Sequence, residues 1–425
     1  MLRFPVNRPR LPYGESEMSE STNRLAAFRP LCDLAKPNSS KIIMFVMDGL
    51  GGLPGPEGKS ELEVAQLPNL DALAREGVCG LVDPVGRSIT PGSGPGHLGL
   101  FGYDPLLCKI GRGALAAAGI GFALKAGDVA ARFNFCTIDE AGNVTDRRAG
   151  RIPTEKNVSL LPKLREIRIP GVEIFLEAVR EYRGLVVFRG EGLGHRVCDT
   201  DPQAVGVPPL PAEGEDEASE RTAEVANRFL AEVKKALAEE QPANYINLRG
   251  FDRRPDIPTL EELYQLKSAG IATYPMYRGL ARFVGMTVPT EGIECFEDEL
   301  ATLEKLWGDY DFFFIHYKYT DSAGEDGDFA RKVAKLEEAD GAVPRLLALK
   351  PDVLVVTGDH STPAMYKAHS WHPVPAMLRA RFARRDGVTT FTEQACLGGG
   401  LGRMPARHLM GLMLAHADRL EKFGA

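Results

Sequence analysis

The chain has 425 residues, with 51 Lys and Arg against 58 Asp and Glu, a formal charge of −7. That length exceeds what one hydrophobic core usually holds, so two domains are expected. The acidic balance excludes broad attraction to nucleic acid or to an anionic membrane, and an anionic substrate would need a local cluster of arginines. No run approaches transmembrane length, and the start of the chain lacks the continuous apolar stretch of a signal peptide. Seven scattered cysteines without a C-x-x-C pair read as the reduced thiols of a cytoplasmic protein and argue against a cysteine zinc site. The oligomeric state is not legible.

Residues 1–40 read as an irregular arm without chemistry, with Met18 as an alternative start. The run 41–48 that follows is short, apolar and stopped by Asp48-Gly49, as expected of a strand buried on both faces of a parallel sheet. A helix is expected over 67–76, with Pro68 at its start and Gly77 behind it. From 119 to 273 the pattern changes: short strands at 130–138 and 184–189 alternate with a helix-like stretch at 215–240. We read this as a smaller inserted α/β domain, which leaves 41–118 and 274–425 as one discontinuous domain. The runs 311–321 and 352–359 repeat the grammar of the first strand and end in Asp321 and Asp359.

Open α/β sheets bind ligands at the carboxyl ends of their strands, so Asp48, Asp321 and Asp359 can share one crevice. A lone Asp after a strand is more often a helix cap; three together shift that balance. Asp359-His360 offers an oxygen and a nitrogen ligand side by side, Glu325 lies one helical turn beyond Asp321, and His369 and His372 follow the third strand. Oxygen and imidazole ligands without thiolates suit Mg, Mn or Zn, and two such ions about 4 Å apart are a common arrangement for phosphoryl transfer.

Between the first two acids lies Thr90-Pro91-Gly92-Ser93-Gly94-Pro95-Gly96-His97, whose glycines let backbone N–H groups approach an anion around Ser93. A metal on the Ser93 hydroxyl would activate it as a nucleophile, although a plain surface turn uses the same residue types. His97 is assigned a supporting place behind the site. Gly58-Lys59-Ser60 resembles the end of a P-loop, but that motif requires glycine where Leu53 stands. Arginines gather in the middle region: Arg132 beside Asn134, then Arg147, Arg148 and Arg151, then Arg249. Guanidinium forks suit a small substrate carrying a carboxylate and a phosphate.

Taken jointly, these stretches resemble the cofactor-independent phosphoglycerate mutases, in the archaeal-type branch of the alkaline phosphatase superfamily. The matching segments are Met47-Asp48-Gly49, Pro68-Asn69-Leu70-Asp71, Thr90-Pro91-Gly92-Ser93 with His97, Arg132-Phe133-Asn134-Phe135, Asp146-Arg147-Arg148-Ala149-Gly150-Arg151, Thr320-Asp321, Thr357-Gly358-Asp359-His360 and His369-Ser370. The resemblance implies a mostly parallel sheet with helices on both faces. It also implies two divalent ions, one held by Asp48, Ser93, Asp359 and His360 and the other by Asp321, the residue four positions later, and His369. The implied reaction needs no 2,3-bisphosphoglycerate: Ser93 takes the phosphoryl group from 3-phosphoglycerate, the glycerate turns within the arginine clamp, and the group returns to the other hydroxyl. A phosphohydrolase or phosphotransferase of the same superfamily is the alternative. A binding protein without turnover is a third reading. Two positions depart from the family: Glu325 stands where histidine is common, which favours Mg or Mn over Zn, and Arg278 stands where lysine is common, keeping a charge able to contact phosphate.

Overall fold

The structure is a computed structural model and describes residues 29–424. Within the stretch expected to be an irregular arm, 1–28 lie outside the described residues, while Arg29–Leu34 forms a helix (α1) and Ala35 bridges to Leu420 near the C-terminus.

A seven-stranded sheet organises the larger core. Its strands are β1 (Ile42–Met47), β2 (Val78–Asp83), β8 (Ser268–Ile271), β9 (Phe312–Tyr317), β10 (Val353–Thr357), β11 (Val374–Ala380) and β12 (Gly402–Pro405), in the order β12-β2-β11-β10-β1-β9-β8. Only β11 runs against its neighbours; β12/β2, β10/β1, β1/β9 and β9/β8 are parallel pairs. Every residue of β1, β9 and β10 is buried, so both faces of these central strands are covered, and no alternating polar face is left for solvent. Helix α2 (Pro68–Glu76), for example, packs on β11 and β2. Pro68 opens it with the fixed φ that a first helical turn requires.

A second, antiparallel sheet is built from β3 (Val129–Ile138), β4 (Val144–Asp146), β5 (Glu173–Arg180), β6 (Arg183–Arg189) and β7 (Tyr245–Asp252), with β3 pairing to β4, β6 and β7. It has its own apolar core, in which Phe229 and Val233 of the long helix α5 (Glu217–Ala236) pack with Phe188 and Leu248. Asp216 caps α5 by accepting from the Ser219 N–H, and Glu217 and Glu220 lie in its first turn, while 213–215 precede the helix.

The two cores meet through α4 (Arg112–Gly119), which packs on β3 and β7 and also on α6 (Pro275–Phe283). Glycines set this closeness: a Cβ on Gly113 would lie 2.1 Å from the Ala130 carbonyl oxygen, and one on Gly279 would lie 2.4 Å from that of Leu115. The expected junction between 118 and 119 therefore falls inside a helix shared by both cores. At the other junction, β8 lies within 119–273 yet pairs with β9, because its four buried residues extend the larger sheet. Among the described residues no helix is long and apolar enough to cross a membrane.

Candidate active site

Parallel pairing brings the carboxyl ends of β10, β1 and β9 to one edge. Val46 is in register with both Thr357 and His316, so Asp48, Asp359 and the segment after Tyr317 emerge side by side. Asp48 follows β1 directly and Asp359 follows β10 after Gly358, whereas Asp321 belongs to the first turn of a helix, α7 (Tyr319–Asp326). All three carboxylates are buried.

Ser93 opens α3 (Ser93–Leu100), with Gly92 as its N-cap, so the expected glycine-rich turn is a helix start. The N–H groups of a first turn lack intrahelical acceptors and favour an anion there. Gly96 allows the helix to lie against the strand end: a Cβ at that position would lie 2.1 Å from the Asp359 carbonyl oxygen. The result is a Ser93 Oγ 3.1 Å from His360 Nε2.

Around that imidazole, Asp48 Oδ1 and Asp359 Oδ2 each lie 3.2 Å from Nε2. Both oxygens are buried and have no hydrogen-bond partner among the described residues. Two unsatisfied carboxylate oxygens converging on one imidazole nitrogen fit a divalent cation. The tautomer agrees with this. Thr362 donates to Asp321 Oδ1 at 2.7 Å, so at 2.9 Å its hydroxyl accepts from His360 Nδ1 and leaves Nε2 free to ligate. Without an ion, burial lowers the His360 pKa, but Asp359, Asp48 and Asp321 outweigh it and push it up to about 9.

A second group forms from Asp321, His360 and His369, whose ligand atoms lie within 4.8 Å of one another, as do those of Asp48, Asp359 and His360. His369 Nδ1 donates to the Pro91 carbonyl at 2.9 Å, which turns Nε2 toward Asp321 Oδ1 at 3.5 Å. Glu325 sits at the margin: its Oε1 is 3.9 Å from His369 Nε2 and its side chain is 58% exposed. His372 instead pairs with Ser370.

Behind these ligands lies a layer that the sequence reading left out. Asp48 Oδ2 accepts from the Tyr277 hydroxyl and from Lys318 Nζ at 3.0 Å, and lies 3.2 Å from His316 Nε2. Lys318 also donates to Asp321 Oδ2. Burial alone would raise the Asp48 carboxyl, yet Lys318, His316 and His360 hold it well below the usual range. Burial and Asp48 push the Tyr277 phenol well above its ordinary value, so it stays a donor. His97, assigned a supporting place, donates from Nδ1 to the Ser93 carbonyl at 2.8 Å, with Asp359 Oδ2 3.2 Å from the same nitrogen.

The arginines divide into three groups. Arg132 and Arg249 are register partners on β3 and β7, as are Asn134 and Asn247, and Arg183 of β6 faces Asn134. Residues two apart share one face of a strand, so these five form a polar array across three strands. Arg132 is crowded: burial first, then Arg112, Arg183 and Arg249, bring its pKa down to about 10. Arg132 Nε and Asn247 Nδ2 are buried donors without hydrogen-bond partners among the described residues, which suits an anion, while the equally unpartnered acceptors Asn134 Oδ1 and Asn247 Oδ1 suit a hydroxyl. Arg147 is held by both Asp201 oxygens at 2.9 and 2.8 Å, and Arg249 reaches the same Asp201 through Nη1 and Asp199 through Nε, each at 3.2 Å, while Arg148 and Arg151 are exposed. Arg278 spends its donors on the Ala272 and Ile293 carbonyls, at 2.6 and 2.9 Å, bracing the start of α6. Arg180 lies 5.0 Å above the Tyr274 ring, itself 5.9 Å from the ring of Tyr277, which links the array side to Asp48.

The family described as 2,3-bisphosphoglycerate-independent phosphoglycerate mutase matches residues 74–244. A Thermus thermophilus protein named as a probable mutase of that kind is 52% identical over 403 residues, covering 94% of this chain and 99% of its own. The chain belongs to this family. Two solved structures agree with the fold. That of the PH0037 protein from Pyrococcus horikoshii superposes with a TM-score of 0.79 at 29% identity, covering 92% of this chain and 100% of its own. The cofactor-independent phosphoglycerate mutase from Thermoplasma acidophilum gives 0.64 at 28% identity, covering 89% and 100%. The enzyme is accordingly an isomerase, a phosphoglycerate mutase acting on a small phosphorylated substrate.

Proposed function

We propose that this enzyme interconverts 3-phosphoglycerate and 2-phosphoglycerate through a phosphoserine at Ser93, with no 2,3-bisphosphoglycerate. The observation that carries the reading is the Ser93 Oγ, 3.1 Å from His360 Nε2 at the focus of Asp48 and Asp359. Divalent ions, Mn or Mg, held by Asp48, Asp359 and His360 with Ser93 and by Asp321 and His369 with Glu325 alongside, would acidify the serine hydroxyl and neutralise phosphate charge.

The chain's own residues supply the rest. Ser93 Oγ forms a bond to phosphorus as the bond from phosphorus to the substrate oxygen breaks, and the departing alkoxide takes up a proton. The first turn of α3 directs N–H groups at the transferring oxygens. Arg132 and Arg249, with Arg183 and Arg112 beside them, hold the glycerate carboxylate while the free hydroxyls exchange places before the return step. Arg147, Arg148 and Arg151 act at the edge of this clamp, and Arg278 acts through the position of α6. Retention of glycerate requires exclusion of water, since hydrolysis of the phosphoserine would release phosphate. Such a reaction places the enzyme in the glycolytic and gluconeogenic segment of the cytoplasm.

Mass spectrometry of protein quenched during turnover should find phosphate on Ser93 and none in Ser93→Ala. Unmodified Ser93 under turnover, or free phosphate released from 3-phosphoglycerate without 2-phosphoglycerate, would overturn the reading.

A further inference from the structure

The smaller core meets the larger one in two different ways. One is close packing, through the glycines of α4 and α6. The other is the tip of the β5–β6 hairpin, residues 180–183, and this tip is braced from its own side. Glu181 turns it with a φ of +51°, and buried Asn157 donates to the Glu181 and Arg183 carbonyls at 2.7 and 2.8 Å. The Glu181 N–H donates to the Thr154 hydroxyl at 2.8 Å. Arg183, a member of the array, is held there by the Glu181 carboxylate at 2.7 Å and the Tyr182 hydroxyl at 3.0 Å.

Arg180 leaves the same turn toward the larger core. Among the described residues it makes no hydrogen bond and no ion pair; its guanidinium carbon lies 5.0 Å from the centre of the Tyr274 ring. Tyr274 is the N-cap of α6, the helix that packs on α3 and carries Tyr277 to Asp48. Burial first, then Glu299, Cys295 and Glu338, raise the Tyr319 phenol while Arg180 opposes them, so the same cation is felt at the first residue of α7, the helix of Asp321. One side chain of the hairpin thus meets the starts of two helices that position Asp48 and Asp321. A guanidinium held only by the face of a ring, at an exposed position, is bound weakly enough to release and reseat. That strength suits a contact that opens when substrate enters and product leaves.

We propose that Arg180 is a latch: seated on Tyr274, it keeps the array turned to Ser93 while the phosphoserine awaits glycerate, and so sets how often the phosphoryl group is lost to water. This rests on the phosphoserine reaction proposed above. In a lost turnover a water oxygen bonds to phosphorus as the bond from phosphorus to Ser93 Oγ breaks. One water proton passes to the serine oxygen, and inorganic phosphate and free glycerate are left. Arg180 acts through Tyr274 and is a positioning residue, unlike Arg183 on the same turn, which belongs to the array itself.

The test supplies the full-length protein with Mn²⁺ and 3-phosphoglycerate and measures inorganic phosphate released per 2-phosphoglycerate formed. Wild type, Arg180→Gln, Arg180→Lys, Tyr274→Leu and the double variant Arg180→Gln/Tyr274→Leu are compared, each with a thermal melt. Arg180→Gln should raise the ratio roughly two- to fivefold, the factor that an exposed cation–π contact is worth, while its melting temperature barely moves. Arg180→Lys, which keeps a cation for the ring, should bring the ratio back toward wild type. Tyr274→Leu should leak like Arg180→Gln, and the double variant no more than either single change, since both remove one contact. A wild-type ratio in Arg180→Gln, with or without a lower melting temperature, would overturn the latch, as would leaks that add in the double variant. Failure of wild type to form 2-phosphoglycerate is a separate result, which removes the mutase reading and the latch with it.

Discussion

Tyr277 donates its phenolic hydrogen to Asp48 Oδ2, the oxygen turned away from His360, and thereby leaves Asp48 Oδ1 without a hydrogen-bond partner among the described residues. The ring is fixed from behind by stacking on His316, with centroids 3.6 Å apart. A carboxylate held by one oxygen presents the other in a single direction, which is how groups behind a metal ligand tune its affinity.

Tyr277→Phe keeps the stack and removes only this donor. Loss of one buried hydrogen bond to a charged group should cost about 1.5–3 kcal/mol of stability. Mn²⁺ affinity should fall roughly tenfold. Denaturant melts and calorimetry of the same variant check both. Unchanged ion affinity alongside the lost stability would show that Asp48 is oriented without Tyr277, by Lys318 and the Gly49 turn.

The Arg132 environment predicts a trade between stability and function. Its guanidinium is crowded by Arg112, Arg183 and Arg249, and Nε has no partner among the described residues. Arg132→Gln should lower kcat/KM for phosphoglycerate by roughly 10- to 100-fold, the worth of one charge-assisted contact. It should also leave the ligand-free protein as stable as wild type or more so, since a repelling charge is gone. Steady-state kinetics paired with thermal melts decide it, and a marked loss of stability would contradict the cradle.

Much of this site was legible because its ligands sit in short contiguous stretches. Asp48 and the Asp359-His360 pair end apolar runs, so β1 and β10 follow from the pattern, and their parallel register does the rest. The array across β3 and β7 was only half legible. Arg132-Phe133-Asn134 and Asn247-Leu248-Arg249 are the same motif reversed, as antiparallel partners must be for like residues to face each other. Nothing in either segment states that strands so far apart in the chain pair. His316 and Lys318 were missed because a polar residue at the end of an apolar strand has no fixed direction until neighbouring strands supply Asp48. The partners of Arg278 and Arg147 were not legible for the opposite reason: a guanidinium looks equally free in sequence whether it meets substrate, two backbone carbonyls or an aspartate.

Glu299 supplies the pH prediction. It is buried, accepts from the Thr273 N–H at 2.7 Å through one oxygen, and leaves the other without a hydrogen-bond partner among the described residues. Burial raises its carboxyl well above the ordinary 4.5, against the smaller opposing pull of Thr273 and Arg278. A folded value above the unfolded one means that the native state binds the extra proton. The contribution is then fully present below about 4.5 and is lost as pH rises through the raised value. Wild type minus Glu299→Gln should therefore show stability falling with pH, by up to about 1.4 kcal/mol per unit within that window. Urea melts of both proteins from pH 4 to about 9 measure the difference, and a flat difference would refute it.

Lys332 ties together the two segments that follow Asp48 and His360. Its ammonium donates to the Gly49 and Gly51 carbonyls at 3.0 Å each and to that of Thr362 at 2.9 Å. Gly49 follows Asp48 directly and also donates to Asp359 Oδ1, while Thr362 sets the His360 tautomer. A single buried cation thus fixes the spacing between two ligand-bearing loops. Lys332→Met fits the volume but leaves the Thr362 carbonyl without its ammonium donor and the Gly49 and Gly51 carbonyls sharing only the Thr362 N–H, and breaking such a buried set should cost about 3–5 kcal/mol. The loops should also drift, so ion affinity should fall together with stability. A second variant, Lys332→Gln, can restore part of the donor set and should recover part of both. Stability lost without any change in ion affinity would show that the strand ends alone hold the ligands in place.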